Sequence, residues 1–169
     1  MDARRFPPPI AARTWMAAAW FIVCAAIVAA PVLAAHGRGG AAAVFYLFFS
    51  GVCHQDPERS FLLCGHALAV CHRCTGIYLG LFLASALARP CPRWPTRNRV
   101  LAAGLPLLLD TLLPYAGLWH STPLSRFATG LLFGTLTAPL LVRGVTEWLQ
   151  EIPWRRSSIH GPQFKGGLS

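Results

Sequence analysis

The feature that most constrains this chain is a stretch with no charge in it. From Trp15 to Ala35, between Arg13 and His36, every residue is apolar or small. A bilayer core about 30 Å thick calls for about 20 such residues in a helix. Comparable stretches follow at about 70–88 (apolar once past Arg73), at 100–119 (broken only by Asp110) and at 127–147 (uncharged as far as Val142). Only 12% of the residues are charged while 54% are hydrophobic, against about 25% charged in a soluble domain. An ordinary soluble enzyme is excluded. The expected fold is all-α, a polytopic membrane bundle of four transmembrane helices.

Two shorter apolar pieces, Ala41 to Val52 and Phe61 to Val70, flank the polar stretch His54 to Ser60. A dozen residues at 1.5 Å each do not cross a bilayer. Region 41–69 is therefore expected to form a re-entrant or interfacial helical hairpin, tolerated where it packs inside protein or lines a cavity. The basic residues set the orientation. Arg4, Arg5 and Arg13 precede the first span; Arg89, Arg93, Arg97 and Arg99 fill the loop after the second; Arg143, Arg155, Arg156 and Lys165 follow the fourth. With the hairpin entering and leaving on one side, these eleven of fifteen lie on one face, which the positive-inside rule makes cytoplasmic. Residues 1–14 and a flexible tail at 150–169 are then cytoplasmic, 15–149 form one membrane domain, and region 36–70 faces outward. The net charge of +9 reports orientation, and no nucleic-acid partner is expected. Arg4, Arg5, Arg13 and the small residues Val32-Leu33-Ala34-Ala35 also resemble a secretory signal, but the apolar run is longer than a usual signal core, which favours an uncleaved helix.

On the outward side, Cys53, His54, Cys64, His66, Cys71, His72 and Cys74 fall within 22 residues. Cys71-x-x-Cys74 opens a helix, where both thiolates can converge on one ion and feel the helix N-terminal dipole. Tetrahedral zinc sites use four Cys or His ligands, often with one such close pair. Cys53, His66, Cys71 and Cys74 are the expected set for zinc or another transition metal, with His54 and Cys64 in reserve. A disulfide or redox dithiol and inert packing thiols stay open as alternatives. Cys24 reads as a packing residue and Cys91 as a reduced free thiol.

The strings C53-H54-Q55, P57-E58-R59-S60-F61, G65-H66 and V70-C71-x-R73-C74-T75-G76-I77-Y78-x-G80, with Asp110 and R126-x-x-T129-G130 downstream, resemble the signature of a family of small prokaryotic membrane proteins, the domain of unknown function DUF2085. The resemblance runs roughly from Phe45 to Ala138. It implies an integral protein of the prokaryotic cell (inner) membrane without an assigned activity. Cys64 is not part of the family pattern, and some relatives carry Asp at the position of Cys74. An Asp can replace a thiolate as a metal ligand but cannot form a disulfide, which favours the metal.

The second and fourth spans share Thr-Gly-x-x-x-Gly-x-x-x-Ala, at Thr75 and at Thr129. Small residues every fourth position let membrane helices approach closely. The Gly76/Gly80 and Gly130/Gly134 faces are candidate surfaces for a homo-oligomer, and the bilayer is the expected partner. Asp110, between Pro106 and Pro114, is an ionisable group at membrane depth and so either functional or paired, with a Thr, Tyr78 or an Arg as candidate partners. Glu58 could serve as a base beside a metal-bound water or pair with Arg59 or Arg73; Arg126 opens the fourth span on the same face. Three classes follow: a protein with a structural metal site, a thiol–quinone oxidoreductase using Cys71 and Cys74, or a small transporter or metal-dependent hydrolase using Asp110 or Glu58.

Overall fold

The computed structural model describes residues 9–87 and 96–151. The basic residues Arg4, Arg5, Arg89, Arg93, Arg155, Arg156 and Lys165, together with Cys91, lie outside the described residues, as does the tail beyond 151. The chain is mostly helical. In order it forms α1 (Pro9–Ala35), α2 (Gly39–Ser50), a 3-10 turn (Pro57–Arg59), β1 (Leu62–Leu63), β2 (His66–Ala67), α3 (His72–Leu87), α4 (Thr96–Leu112) and α5 (Pro123–Glu151).

Two helices meet the requirements of a membrane span. Ala12–Ala35 and Pro123–Trp148 are long and apolar, with mean hydropathies of 2.4 and 1.4, and only 17% of each spanning window is buried. A core helix of a soluble protein would bury most of such a stretch. Here Phe21, Ile22, Val44, Leu47 and Phe48 are exposed, an apolar surface far beyond what a soluble monomer presents. The expected four spans are not matched by helix length. α3 has 16 residues and α4 has 17, which at 1.5 Å per residue reach about 24 and 26 Å.

The third expected span, 100–119, is cut short at Leu112 for a local reason. Pro114 has no N–H to continue the ladder and disfavours helical backbone at Leu113. Gly117, at φ +68°, then lets the Leu118 N–H reach back to the Leu113 carbonyl at 3.1 Å. Gly37 closes α1 in the same way, at φ +71°, with the Arg38 N–H on the Leu33 carbonyl at 2.9 Å. Both are glycine-dependent Schellman ends, and the one at Gly37 turns the chain back so that α2 packs on α1.

The expected helical hairpin at 41–69 is half right in kind. Its first arm is helical, as α2. Its second arm is a two-stranded β-ribbon in which Leu62 pairs with Ala67 and Leu63 with His66. Cys64 (φ 52°) and Gly65 (φ 79°) form the two-residue turn, and positive φ at both positions is what a type I′ hairpin demands. Leu68, Ala69 and Val70 then run into the core beside Ile27, Ala30, Phe49 and Cys53.

α3 and α5 run parallel and touch backbone to backbone. A Cβ on Gly76 would meet the Phe127 carbonyl, one on Gly80 that of Leu131, one on Gly130 that of Arg73, and one on Gly134 that of Ile77. Both glycine stripes therefore face each other within one chain.

Candidate metal centre and polar cavity

The functional residues gather at one end of the bundle, where α4 ends, α3 and α5 begin, and segment 51–71 folds over. A polar lattice fixes that segment. Gln55, at φ 50°, donates from Nε2 to the Tyr46 carbonyl at 2.6 Å and the Ala69 carbonyl at 2.8 Å. This ties the end of α2 to the strand entering α3. The Tyr46 hydroxyl donates to the Ala67 carbonyl at 2.6 Å. The Asp56 carboxylate accepts from the Glu58 N–H at 3.1 Å, and the Ser60 hydroxyl donates to the Asp56 carbonyl at 2.8 Å. Sequence reasoning did not single out Gln55; its place beside Cys53 in the C53-H54-Q55 string was the signal.

This lattice delivers Cys53 to the head of α3. The sulfurs of Cys53, Cys71 and Cys74 all lie within 4.8 Å of one another, with Cys53 buried and the other two partly so. The Cys71 N–H donates to Cys53 Sγ at 3.2 Å. Hydrogen bonds from the Cys53 and Cys74 thiols hold Cys71, just ahead of α3, far below the ordinary thiol range despite burial. The group is three soft donors close enough to hold one metal ion.

His66 lies on β2, exposed, and Cys64 at the exposed hairpin tip; neither belongs to the three-sulfur group. His54 lines the cavity that Cys71 also borders. His72, between the two cysteines, is buried with its ring edge-on to Phe61 at 4.3 Å. Cys24 is partly buried within α1.

Asp110 lies near the end of α4, away from the helix middle where the sequence had put it, and its side chain is buried. Its partner is Arg73, at 2.7 Å. Tyr78, another candidate partner, instead packs against Trp20 and Phe49. The Ser121 hydroxyl lies 3.0 Å from both carboxylate oxygens and the Ser125 hydroxyl donates at 2.8 Å. Three side chains from three segments thus converge on one carboxylate, which has few acceptor positions left. Arg126 donates from Nε to Ser121 Oγ at 2.9 Å. Glu58 is exposed; the ion pair on its turn is Arg59 with Asp56, at 3.1 Å. A cavity of about 490 Å³ opens among these groups, bordered by Arg59, Arg73, Arg126, Asp56, Asp110 and Cys71.

An apolar helical bundle with a three-thiol cluster and a buried ion pair at one end is the architecture of a membrane protein. The chain belongs to the family described as "Predicted membrane protein (DUF2085)", whose profile matches residues 53–140. That interval runs from the first clustered cysteine through both glycine stripes. An uncharacterized protein of Methanothermobacter thermautotrophicus is 42% identical over 86 residues, covering 49% of this chain and 78% of that protein. An uncharacterized protein of Methanocaldococcus jannaschii is 34% identical over 94 residues, covering 53% of this chain and 60% of that protein. No solved structure matches the chain.

Proposed function

We propose that this is a multi-pass membrane protein whose outward-facing Cys53, Cys71 and Cys74 bind a transition metal, zinc in the first instance, and that the ion pins segment 51–71 to the head of α3. The observation that carries this reading is the convergence of three sulfurs from two separate segments within 4.8 Å. A bound ion would close a loop that otherwise depends on a few hydrogen bonds, and metal binding to such thiolates contributes directly to folding. His54 and His66 are the candidate fourth donors.

The test is elemental analysis of protein purified without a metal-binding tag. About one metal per chain is expected in the wild type and in Cys64→Ser, and none in Cys71→Ser. A wild type without stoichiometric metal, or an unchanged content in Cys71→Ser, overturns the reading. The close approach of the sulfurs also suits one rival, a thiol oxidoreductase that cycles a disulfide through Cys71. Thiol trapping in cells separates the two, since a metal-bound trio stays reduced in every growth condition. A transporter or hydrolase draws less support: the Asp110 carboxylate is already occupied by Arg73, Ser121 and Ser125, and Glu58 is exposed and outside the three-sulfur group.

In this reading α1, α3, α4 and α5 all cross the bilayer, from a cytoplasmic N-terminus to a cytoplasmic tail, with 15–149 as the membrane domain. Parallel packing of α3 and α5 supports it, because two helices separated by one intervening crossing must run the same way. The place of α1 supports an uncleaved first span. Ile27 and Ala30 are core residues beside Phe49 and Ala69, and removing a signal up to Ala35 would take them out. An impermeant maleimide should label Cys64, exposed at the hairpin tip, in intact cells; labelling only after lysis would reverse the orientation.

A further inference from the structure

Three arginines border the cavity beside the cysteine cluster, and only two carboxylates meet them. Arg59 is paired with Asp56 at 3.1 Å and Arg73 with Asp110 at 2.7 Å. Arg126 is left over: among the described residues no carboxylate pairs with it. The one side-chain bond it makes among the described residues, from Nε to Ser121 Oγ at 2.9 Å, fixes the guanidinium and leaves both terminal nitrogens to donate. Ser121 is itself held by Asp110, so the whole arrangement is anchored to the buried ion pair. Arg73 borders the same cavity, its charge shared with Asp110. An unpaired guanidinium with a second one behind it thus faces one cavity of about 490 Å³, a volume in the range of small-ligand sites.

The geometry points to this cavity as a binding site for a phosphate-class oxyanion, either free phosphate or the headgroup of an anionic lipid, gripped by Arg126 with Arg73 behind it. A planar guanidinium fork matches two oxygens of one tetrahedral anion, and such charge-assisted bonds are about twice as strong as neutral ones. A cation would find no comparable offer, because both bordering carboxylates already carry an arginine. The site shares the Cys71 wall with the proposed metal centre but does not depend on it.

The experiment uses the full chain in phosphatidylcholine nanodiscs, with inorganic phosphate as the probe and metal content measured on the same samples. The wild type should bind phosphate saturably. Arg126→Gln should bind at least about tenfold more weakly, the loss of one charge-assisted fork, with metal content unchanged. Arg126→Lys keeps the charge and loses the fork, so an intermediate affinity there stands in should the Gln variant not fold. Nanodiscs containing phosphatidylglycerol assign the source. Phosphate binding abolished by that lipid identifies a headgroup, and binding that persists identifies a free anion. Two results overturn the inference: neither phosphate nor phosphatidylglycerol binding saturably, or both Arg126 variants binding like the wild type. Either result with metal still stoichiometric leaves the metal centre standing, and lost metal with phosphate retained does the reverse.

Discussion

The heads of α3 and α5 place two different chemistries on one backbone arrangement. Shifting residue numbers by 54 converts one set of contacts into the other. Gly76 meets the carbonyl of Phe127 as Gly130 meets that of Arg73, and Gly80 meets Leu131 as Gly134 meets Ile77. Even the hydroxyls correspond: Thr75 donates to the Cys71 carbonyl at 3.1 Å and Thr129 to the Ser125 carbonyl at 2.9 Å. At the heads themselves the correspondence ends. Cys71 joins the sulfur cluster, whereas Ser125 donates to Asp110 at 2.8 Å. Arg73 pairs with Asp110, whereas Phe127 stacks against Phe61 at 5.7 Å. The seam admits no side chain, so it fixes the distance between the helices. Beyond it, residues are free to differ, and the chemistry of the protein sits there.

The sharpest way to break this comparison is to fill the seam. A Cβ at Gly134 would press into the backbone of Ile77, which cannot step aside as a flexible side chain would. Gly134→Val should cost about 3 kcal/mol or more, and by the local two-fold relation Gly80→Val should cost nearly as much. Gly144, on the same helix, has nothing within 4 Å of where its Cβ would stand. Gly144→Ala should be neutral or slightly stabilising, since Ala is the better helix former by about 1 kcal/mol. Thermal unfolding in one detergent compares all three, and a Gly134→Val protein that melts like Gly144→Ala would mean the seam does not exist.

The next effect lies at the heads. Asp110→Asn leaves Arg73 half-buried without its counter-charge, with an expected loss of about 2–3 kcal/mol, below the range for a fully buried pair because the Arg73 side chain is 24% exposed. Arg73→Gln should cost a similar amount, and the double variant should recover part of the loss. Strict additivity would show that the pair does not couple the head of α3 to the end of α4.

Much of this was legible in the sequence, and the parts that were not have physical reasons. The repeated Thr-Gly-x-x-x-Gly-x-x-x-Ala looked like two independent packing stripes; nothing in one dimension says that they pack on each other. Cys53, Cys71 and Cys74 were chosen from ligand density and the Cys71-x-x-Cys74 spacing, and they are the three whose sulfurs meet. His66 was grouped with them on the same grounds; the type I′ turn at Cys64-Gly65, read as part of a helical arm, puts it on an exposed β-ribbon outside the three-sulfur group. Asp110 was expected at membrane depth because Pro114 was read as lying inside the third span. It acts as a stop, and so the carboxylate reaches the polar end of the bundle. Gln55 was passed over because amide side chains carry no chemistry of their own. Its role is positional, and Gln55→Ala should cost about 1 kcal/mol for the lost hydrogen bonds and lower metal affinity by about tenfold, as supporting residues around a metal usually do. A metal titration in which Gln55→Ala matches the wild type would detach the lattice from the cysteine cluster.

The smallest expected effect tests whether it is burial, and not ion pairing as such, that makes the heads matter. Arg143 and Glu147 lie on α5 beyond the seam and form an ion pair at 2.7 Å, the same length as Arg73 with Asp110. Their side chains are 74% and 58% exposed, against 4% for Asp110. Exposed pairs gain little because water and salt screen them and ordering two long side chains costs entropy. Glu147→Gln should therefore leave the melting temperature where it was, in low salt and in high, while Asp110→Asn lowers it in both. If the two variants fall by equal amounts, distance alone governs these pairs. The end of α4 would then owe nothing to the low-dielectric site in which Arg73, Ser121 and Ser125 enclose its carboxylate.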